Sequence, residues 1–146
     1  MIVVDTTVLL HAVGGTHAYA GPSRQLLEAV AAARAPATTT AEVIQEFVHV
    51  RARRRGRADA ATLGRDAATL LSPLLNATES IVEQALRLYE RHERLGAFDA
   101  FLAAAALESE AEVVVSGDRA FADVEGLEWV EPSEDGIERL LSARGG

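Results

Sequence analysis

Two short apolar runs, rich in β-branched residues, place the strongest limit on how this chain can fold. Residues 2–4 read Ile-Val-Val and end at Asp5, and residues 112–116 read Glu-Val-Val-Val-Ser. Apolar runs without alternation are typical of strands buried on both faces of a parallel sheet. The stretches between them have helical spacing and are punctuated by glycine and proline. The predicted helices are residues 22–34, 40–55, 59–71, 79–95 and 98–110.

Three further segments are weaker strand candidates, namely Thr38 to Thr40, Leu74 to Asn76 and Glu128 to Val130. Short strands that alternate with helices predict an α/β fold with a central, mainly parallel sheet flanked by helices. A chain of 146 residues buries enough surface to fold without a disulfide or a structural metal. Because no linker divides the sequence, we expect a single domain over residues 1–146.

The composition excludes several classes of site. Without cysteine there can be no disulfide, thiolate zinc site or cysteine nucleophile, and without lysine there can be no phosphate-loop lysine or Schiff base. The first apolar run follows no basic residue and stops at Asp5, so it is neither a signal peptide nor a membrane span. We therefore expect a soluble, cytoplasmic protein. Its net charge of −8 means that binding a nucleic acid requires basic patches or bridging cations.

Four acidic residues are the candidate catalytic and metal-binding groups. Asp5 and Asp118 follow predicted strands, at the sheet edge where α/β proteins bind ligands. Asp99 lies at the start of a predicted helix, and Glu46 lies within the first two turns of another. Ordinary alternatives exist, since Asp99 could cap its helix and Asp118 could belong to a turn. Asp5 is harder to explain in that way, because a carboxylate at the end of a buried strand needs a cation or hydrogen-bond donors.

The helix after residue 40 offers two glutamates, Glu42 and Glu46. Thr39 and Glu42 have the spacing of a capping box, which gives Glu42 a structural role. Glu46 has no such role and is flanked by apolar residues, where an unpaired carboxylate would be costly. We therefore assign Glu46 to the site and leave open whether Glu42 assists it.

The acidic cluster itself predicts a metal ion. Clustered carboxylates repel one another unless a multivalent cation neutralises them, and ligation by oxygen alone favours Mg²⁺ or Mn²⁺. Such an ion activates water and stabilises the oxygens that attack and leave in phosphodiester hydrolysis. It also screens the acidic pocket from a phosphate backbone. The number of ions, one or two, stays open.

Four segments in order along the chain resemble the PIN domain family, and most closely its VapC-type toxins. They are Asp-Thr-Thr-Val-Leu-Leu at 5–10, Ala-Glu-Val-Ile-Gln-Glu-Phe at 41–47, Phe-Asp-Ala-Phe-Leu-Ala-Ala-Ala at 98–105 and Val-Ser-Gly-Asp-Arg-Ala-Phe at 115–121. The resemblance implies a PIN-like three-layer fold and a magnesium- or manganese-dependent endoribonuclease. It also implies a toxin–antitoxin pair, in which a small antitoxin occludes the site, and a homodimer.

The resemblance can be carried onto individual positions. Asp5, Glu46, Asp99 and Asp118 match the acidic residues of the family, with Thr6 and Ser116 as hydroxyl partners. The family often has asparagine or serine where this chain has Thr7, so the resemblance assigns no role to that residue.

One dense basic cluster could contact RNA phosphates or an acidic antitoxin segment. Alternatively, it could be a solvated helix end whose cations favour the negative end of the helix dipole. Aromatic residues make up only 5% of the chain, which argues against a base-stacking platform. The cluster consists of Arg51, Arg53, Arg54, Arg55 and Arg57.

Three other functions are alternatives to a ribonuclease. A receiver-like phosphoacceptor normally relies on a lysine, and this chain has none. A di-iron bundle would need a second copy of the Glu46-x-x-His49 spacing, which is missing. The remaining alternative is a degenerate PIN-like module that only binds a partner protein, although the presence of all four acids argues against such decay.

Overall fold

A four-stranded sheet, parallel throughout, forms the centre of residues 1–145, which are the residues that the computed structural model describes. The strand order is β2-β1-β3-β4, and Val3 lies between Thr38 on one side and Val114 on the other. The two central strands are the two apolar runs, and both are fully buried. The strands are β1 (Ile2–Val4), β2 (Ala37–Thr38), β3 (Val113–Val115) and β4 (Trp129–Val130).

Helices cover both faces of this sheet. Crossovers between parallel strands are right-handed, so the connection from β1 to β2 and the connection from β2 to β3 lie on opposite faces. The last helix, α7, packs on α2, while α6 packs on β3. The helices are α1 (Thr6–Val13), α2 (Ala20–Ala31), α3 (Ala41–Arg55), α4 (Arg57–Leu70), α5 (Glu79–Arg91), α6 (Ala97–Glu108) and α7 (Glu134–Ser142), with a 3-10 helix at Arg119–Asp123.

The predicted α/β fold with a parallel sheet is confirmed, and so are the five predicted helices, whose ends shift by a few residues. The strand predicted at Leu74 to Asn76 is wrong, because in the described chain Leu75 makes only an isolated bridge to Thr40. Helices α1 and α7 lie outside the predicted elements. Only Asp5 lies between β1 and α1, and both elements are rich in apolar residues, so a propensity argument cannot separate them.

Small side chains bring α6 close to the sheet. Its buried residues include Ala100 and the run Ala103 to Ala106, all at most 3% exposed. Alanine has the best helix propensity and occupies little volume, so the helix backbone can approach β3. This packing places the first turn of α6 near the carboxyl end of the sheet. Among the described residues, no helix is both long and apolar enough to cross a membrane.

Candidate active site

Asp5 sits at the junction between β1 and α1 and is only 4% exposed. Its Oδ2 accepts hydrogen bonds from Ser116 Oγ at 2.6 Å and from Thr7 Oγ1 at 3.0 Å. Burial raises the pKa of the Asp5 carboxyl, and the hydroxyl donors oppose that rise in part. The fold therefore fixes the orientation of Asp5 while removing it from water.

The hydroxyls of Ser116 and Thr7, which donate to Asp5, also form hydrogen bonds with the loop after β3. Ser116 Oγ accepts from the backbone N–H of Asp118 at 2.9 Å, and Thr7 Oγ1 accepts from the backbone N–H of Gly117 at 2.9 Å. The ends of the two central strands are thus joined through side chains. Ser116 had been assigned as a hydroxyl partner from the sequence, whereas Thr7 had been assigned no role. The hydroxyl at position +2 after Asp5, in the first turn of α1, is the signal that could have identified it.

The remaining acids approach Asp5 from three other elements. Asp99, in the first turn of α6, has its pKa raised to about 8 by burial, by Asp118 at hydrogen-bonding range, and by the charges of Asp5 and Glu46. The pKa of Glu46 on α3 is raised by burial and then by the charge of Asp5. Asp118 caps the 3-10 helix, and its Oδ1 accepts from the backbone N–H of Ala120 at 2.9 Å. The fold therefore brings together four acids that are distant in sequence.

A cleft between α3 and α6 exposes this cluster. The polar side chains lining it belong to Asp5, Thr40, Glu42, Glu46 and Asp99. Asp118 lies beside the cleft, next to Asp99. Within residues 1–145, no three Asp, Glu or His side chains converge closely enough to hold one metal ion as they stand.

The helix-capping roles predicted as alternatives for Glu42 and Asp99 are wrong. Thr40 is the N-cap of α3, and its Oγ1 accepts from Val43 N at 3.2 Å. The proposed capping box at Thr39 does not form, because Thr39 Oγ1 donates to the carbonyl of Val4 at 2.6 Å. Glu42 is therefore released from the capping role and lines the cleft. Asp99 does not cap α6 either, since that position belongs to Gly96.

Thr6 was the second hydroxyl assigned to the acids. Its Oγ1 is buried, and within the described part of the chain it has no hydrogen-bond partner of acceptable geometry. It lies close enough to Glu46 to lower the pKa of that carboxyl, an effect smaller than those of burial and of Asp5. A buried hydroxyl without a partner is costly, and this one lies beside the Glu46 carboxyl.

The basic cluster divides into two parts. Arg51 is committed within the protein, because its guanidinium donates to Asp59 at 2.6 Å and to the carbonyl of Val13 at 3.3 Å. Its assignment to RNA or antitoxin contact is therefore corrected, since the residue links α3 to α4 and α1. The other members are exposed to solvent, namely Arg53, Arg54, Arg55 and Arg57.

Sequence comparison identifies the family. Residues 2–127 match the profile of the PIN domain, which covers both central strands and all four acids. The chain belongs to the PIN domain family. Another protein of similar length, Ribonuclease VapC7 of Mycobacterium tuberculosis, is 49% identical over 148 aligned residues, which cover 99% of this chain and all of that protein.

Structural comparison agrees with the PIN fold. The crystal structure of VapC20 of Mycobacterium tuberculosis, described as a toxin that cleaves the sarcin–ricin loop, superposes with a TM-score of 0.69. The match covers 84% of this chain and 95% of VapC20, at 23% identity. At this identity the likeness concerns the fold, and it confirms the PIN-like arrangement of sheet and helices.

Proposed function

We propose that this PIN domain protein is a metal-dependent endoribonuclease in which Asp5, Glu46, Asp99 and Asp118 bind a divalent cation, Mg²⁺ or Mn²⁺. The observation that carries the proposal is that Asp5, Glu46 and Asp99 line one cleft, with Asp118 next to Asp99. Partly buried carboxylates of like charge are unfavourable together, and a cation relieves that cost.

The residues present fit such an ion in their chemistry. All the acidic donors are oxygens, which hard divalent cations prefer, and the chain has no cysteine that would favour a softer metal. The unpartnered hydroxyl of Thr6 adds an oxygen beside Glu46. Asp5, Glu46, Asp99 and Asp118 would hold the ion. When bound, the ion supplies Lewis-acid chemistry, which activates water and offsets phosphodiester charge.

The chain's own residues have distinct tasks in this proposal. Asp5 is held in one orientation by Ser116 and Thr7, so its oxygens need no reordering when a ligand arrives. Burial and the neighbouring acids raise the pKa of Asp99, so its carboxyl holds a proton more readily than an ordinary aspartate in the absence of a cation. The half-buried Glu46 completes the cluster from α3. Removal of any of these carboxylates is expected to weaken ion binding more than it weakens the fold.

RNA is the proposed substrate, and the protein is proposed to be the toxin of a type II toxin–antitoxin pair. The near full-length likeness to a protein named Ribonuclease VapC7 supports both statements. The exposed arginines after Arg51 on α3 supply local positive charge for phosphates in an otherwise acidic chain. A small antitoxin and a second copy of this chain are the proposed protein partners. Phe98, 72% exposed at the edge of the cleft, is an apolar group suited to antitoxin contact.

An RNA cleavage assay tests this proposal. Metal-free protein is incubated with end-labelled cellular RNA, with EDTA, Mg²⁺ or Mn²⁺, and the products are separated by length. We expect internal cleavage only with a divalent ion, loss of cleavage in Asp99→Asn, and unchanged cleavage in Asp66→Asn, which alters an exposed aspartate on α4. Cleavage in EDTA, or full activity of Asp99→Asn, would refute the proposed site. A protein that binds its antitoxin and cuts no RNA would favour the degenerate binding module.

A further inference from the structure

Three aromatic rings gather beside the acidic cluster, at the end of α1 and in the loop that follows it. The rings of His11 and His17 stack with centroids 4.2 Å apart and an angle of 29° between their planes. The ring of Tyr19 meets them edge-on, at 4.7 Å from His17 and 5.5 Å from His11. Composition alone argued against an aromatic platform, yet the fold concentrates these rings at one place.

Hydrogen bonds hold this aromatic cluster in position. The backbone N–H of Tyr19 donates to His17 Nδ1 at 3.0 Å, which fixes the His17 ring relative to its loop. The Tyr19 hydroxyl donates to Glu131, just beyond β4. His17 is nevertheless exposed, whereas His11 and Tyr19 are half-buried. The exposed His17 ring is therefore already held in place, so little conformational entropy would be lost if a ligand bound to it.

The cluster is adjacent to the acidic site. A Cβ atom at Gly117 would lie 3.4 Å from a ring carbon of Tyr19 and 3.6 Å from Thr7 Oγ1. Thr7 in turn donates to Asp5 and accepts from Gly117. Gly117 and Thr7 thus connect the tyrosine ring to the carboxylate of Asp5.

Positive charge flanks the rings on two sides. Arg54 of α3 is close enough to lower the pKa of His11, although burial and His17 contribute more. The hydrogen bond to Glu131 and burial raise the pKa of Tyr19, and the nearby charge of Arg119 opposes that rise. The Arg119 guanidinium lies 5.7 Å from the ring centre of Trp129. Both arginines are exposed. Aromatic faces beside guanidinium groups are the combination that single-stranded nucleic acid requires, since bases stack and phosphates pair with cations.

We propose that the His11–His17–Tyr19 cluster is a nucleotide subsite, in which a base of single-stranded RNA near the scissile phosphate stacks on His17 while Arg54 and Arg119 contact neighbouring phosphates. The inference rests on the proposed ribonuclease function and names where that substrate is held. Stacked imidazoles direct their nitrogens away from a common point, and His17 Nδ1 already accepts a hydrogen bond, so the cluster is not suited to chelating a metal.

The test measures RNA affinity in the Asp99→Asn background, so that cleavage does not interfere. Fluorescent oligo-A, oligo-C and oligo-U ribonucleotides serve as probes with Mg²⁺ present, and affinity is read by anisotropy. His17→Ala should weaken binding of at least one probe about 5- to 150-fold, the range expected for the loss of one stacked base. His17→Phe keeps a ring and should retain affinity. Tyr89→Ala, which removes an exposed aromatic ring from α5, should have no effect.

A matched substitution separates stacking from local structure. His17→Asn retains a polar acceptor for the Tyr19 N–H and removes the ring, so it should bind as weakly as His17→Ala. The subsite is refuted if His17→Ala binds all probes as tightly as the parent, if no probe binds the parent, or if Asn preserves affinity while Phe loses it. The RNA cleavage assay on the unaltered protein tests the proposed function separately. If that protein cleaves RNA but the His17 variants bind RNA as tightly as the parent, only the subsite is refuted. If that protein does not cleave RNA, the proposed function is refuted.

Discussion

At the scale of single residues, Asp5 and Asp99 accommodate negative charge in different ways. Asp5 is almost completely buried but accepts two hydroxyl hydrogen bonds, which favour its ionised form. Asp99 is influenced chiefly by burial and by other acids, and its pKa rises to about 8. A bound cation is therefore expected to lower the pKa of Asp99.

The raised pKa of Asp99 predicts how stability depends on pH. The carboxyl has an ordinary pKa of 3.8 and a folded-state pKa of about 8, so the folded protein holds a proton that the unfolded chain releases. The stability due to this proton is present at low pH and is lost as the pH rises through that window. In EDTA, the melting temperature should fall between about pH 5 and about pH 8, and Asp99→Asn should make the fall shallower. Equal slopes for the two proteins would show that Asp99 is not the group responsible.

Thr7 connects the acidic site to the loop after β3. Thr7→Val keeps the shape of the side chain but removes both hydrogen bonds, and it leaves the buried Asp5 with one hydroxyl donor fewer. We expect a loss of about 1–3 kcal/mol in the free energy of unfolding, measured by urea denaturation, together with slower RNA cleavage. Thr7→Ser keeps the hydroxyl and is the control. If Thr7→Val and Thr7→Ser had the same stability and cleavage rate, the Thr7 hydroxyl would have no part in holding Asp5.

The assignment of Glu46 over Glu42 can also be tested. Binding of Mn²⁺ to the folded protein should raise its melting temperature. Because Thr40 caps α3, Glu42→Ala should change the melting temperature very little, and it should leave this Mn²⁺-dependent increase in place. Glu46→Gln should weaken that increase, since Glu46 is the glutamate whose pKa is raised by burial and then by the charge of Asp5. The measurement is a melting curve with and without Mn²⁺. Loss of the increase in Glu42→Ala alone would reverse the assignment.

At the scale of elements, α3 and α4 form a helix pair that depends on one small residue. A Cβ atom at Gly64 would lie 2.5 Å from Val48 Cγ2, which is too close for two carbon atoms. Gly64→Ala should therefore destabilise the protein by about 1–3 kcal/mol despite the better helix propensity of alanine. The double variant Val48→Ala/Gly64→Ala removes the clash and should recover part of that loss in urea denaturation. If the two substitutions lowered the free energy of unfolding additively, the contact between Val48 and position 64 would not limit how closely α3 and α4 pack.

The strands and helices also show which features could be predicted from the sequence. The two central strands follow from their apolar runs, because burial on both faces leaves a strong compositional signal. The N-cap of α3 was misplaced by one residue among three consecutive threonines, since any of them can cap and only the tertiary contact from Thr39 to Val4 decides. Arg51 was grouped with its neighbours because the partner Asp59 belongs to the next helix.

At the scale of the whole molecule, the parallel sheet determines the site. Asp5 and Asp118 follow adjacent strands, and α3 and α6 bring Glu46 and Asp99 to the same sheet edge. That common location was predictable from the sequence. The aromatic cluster was not, because His11, His17 and Tyr19 come together through a loop conformation that leaves no periodic signal.

The acidic surface of the molecule predicts a salt effect. The net charge is −8, so the proposed RNA binding should depend on a few exposed arginines and on divalent cations. Replacing Arg53 and Arg57 by glutamine should weaken RNA binding by the Asp99→Asn variant and reduce its dependence on salt concentration. Fluorescence anisotropy at several salt concentrations measures both quantities. Arg51→Gln should instead lower stability, because Arg51 pairs with Asp59. An unchanged salt slope in the double variant would exclude these arginines from the RNA interface.

The most direct test of the acidic site is calorimetric titration of Mn²⁺ into metal-free protein at neutral pH, without RNA. The account predicts saturable binding to the unaltered protein, much weaker binding to Asp99→Asn, and unchanged binding to the matched surface variant Asp66→Asn. Mn²⁺ that failed to bind the unaltered protein, or that bound Asp99→Asn equally well, would contradict the proposal that these four carboxylates form a metal site.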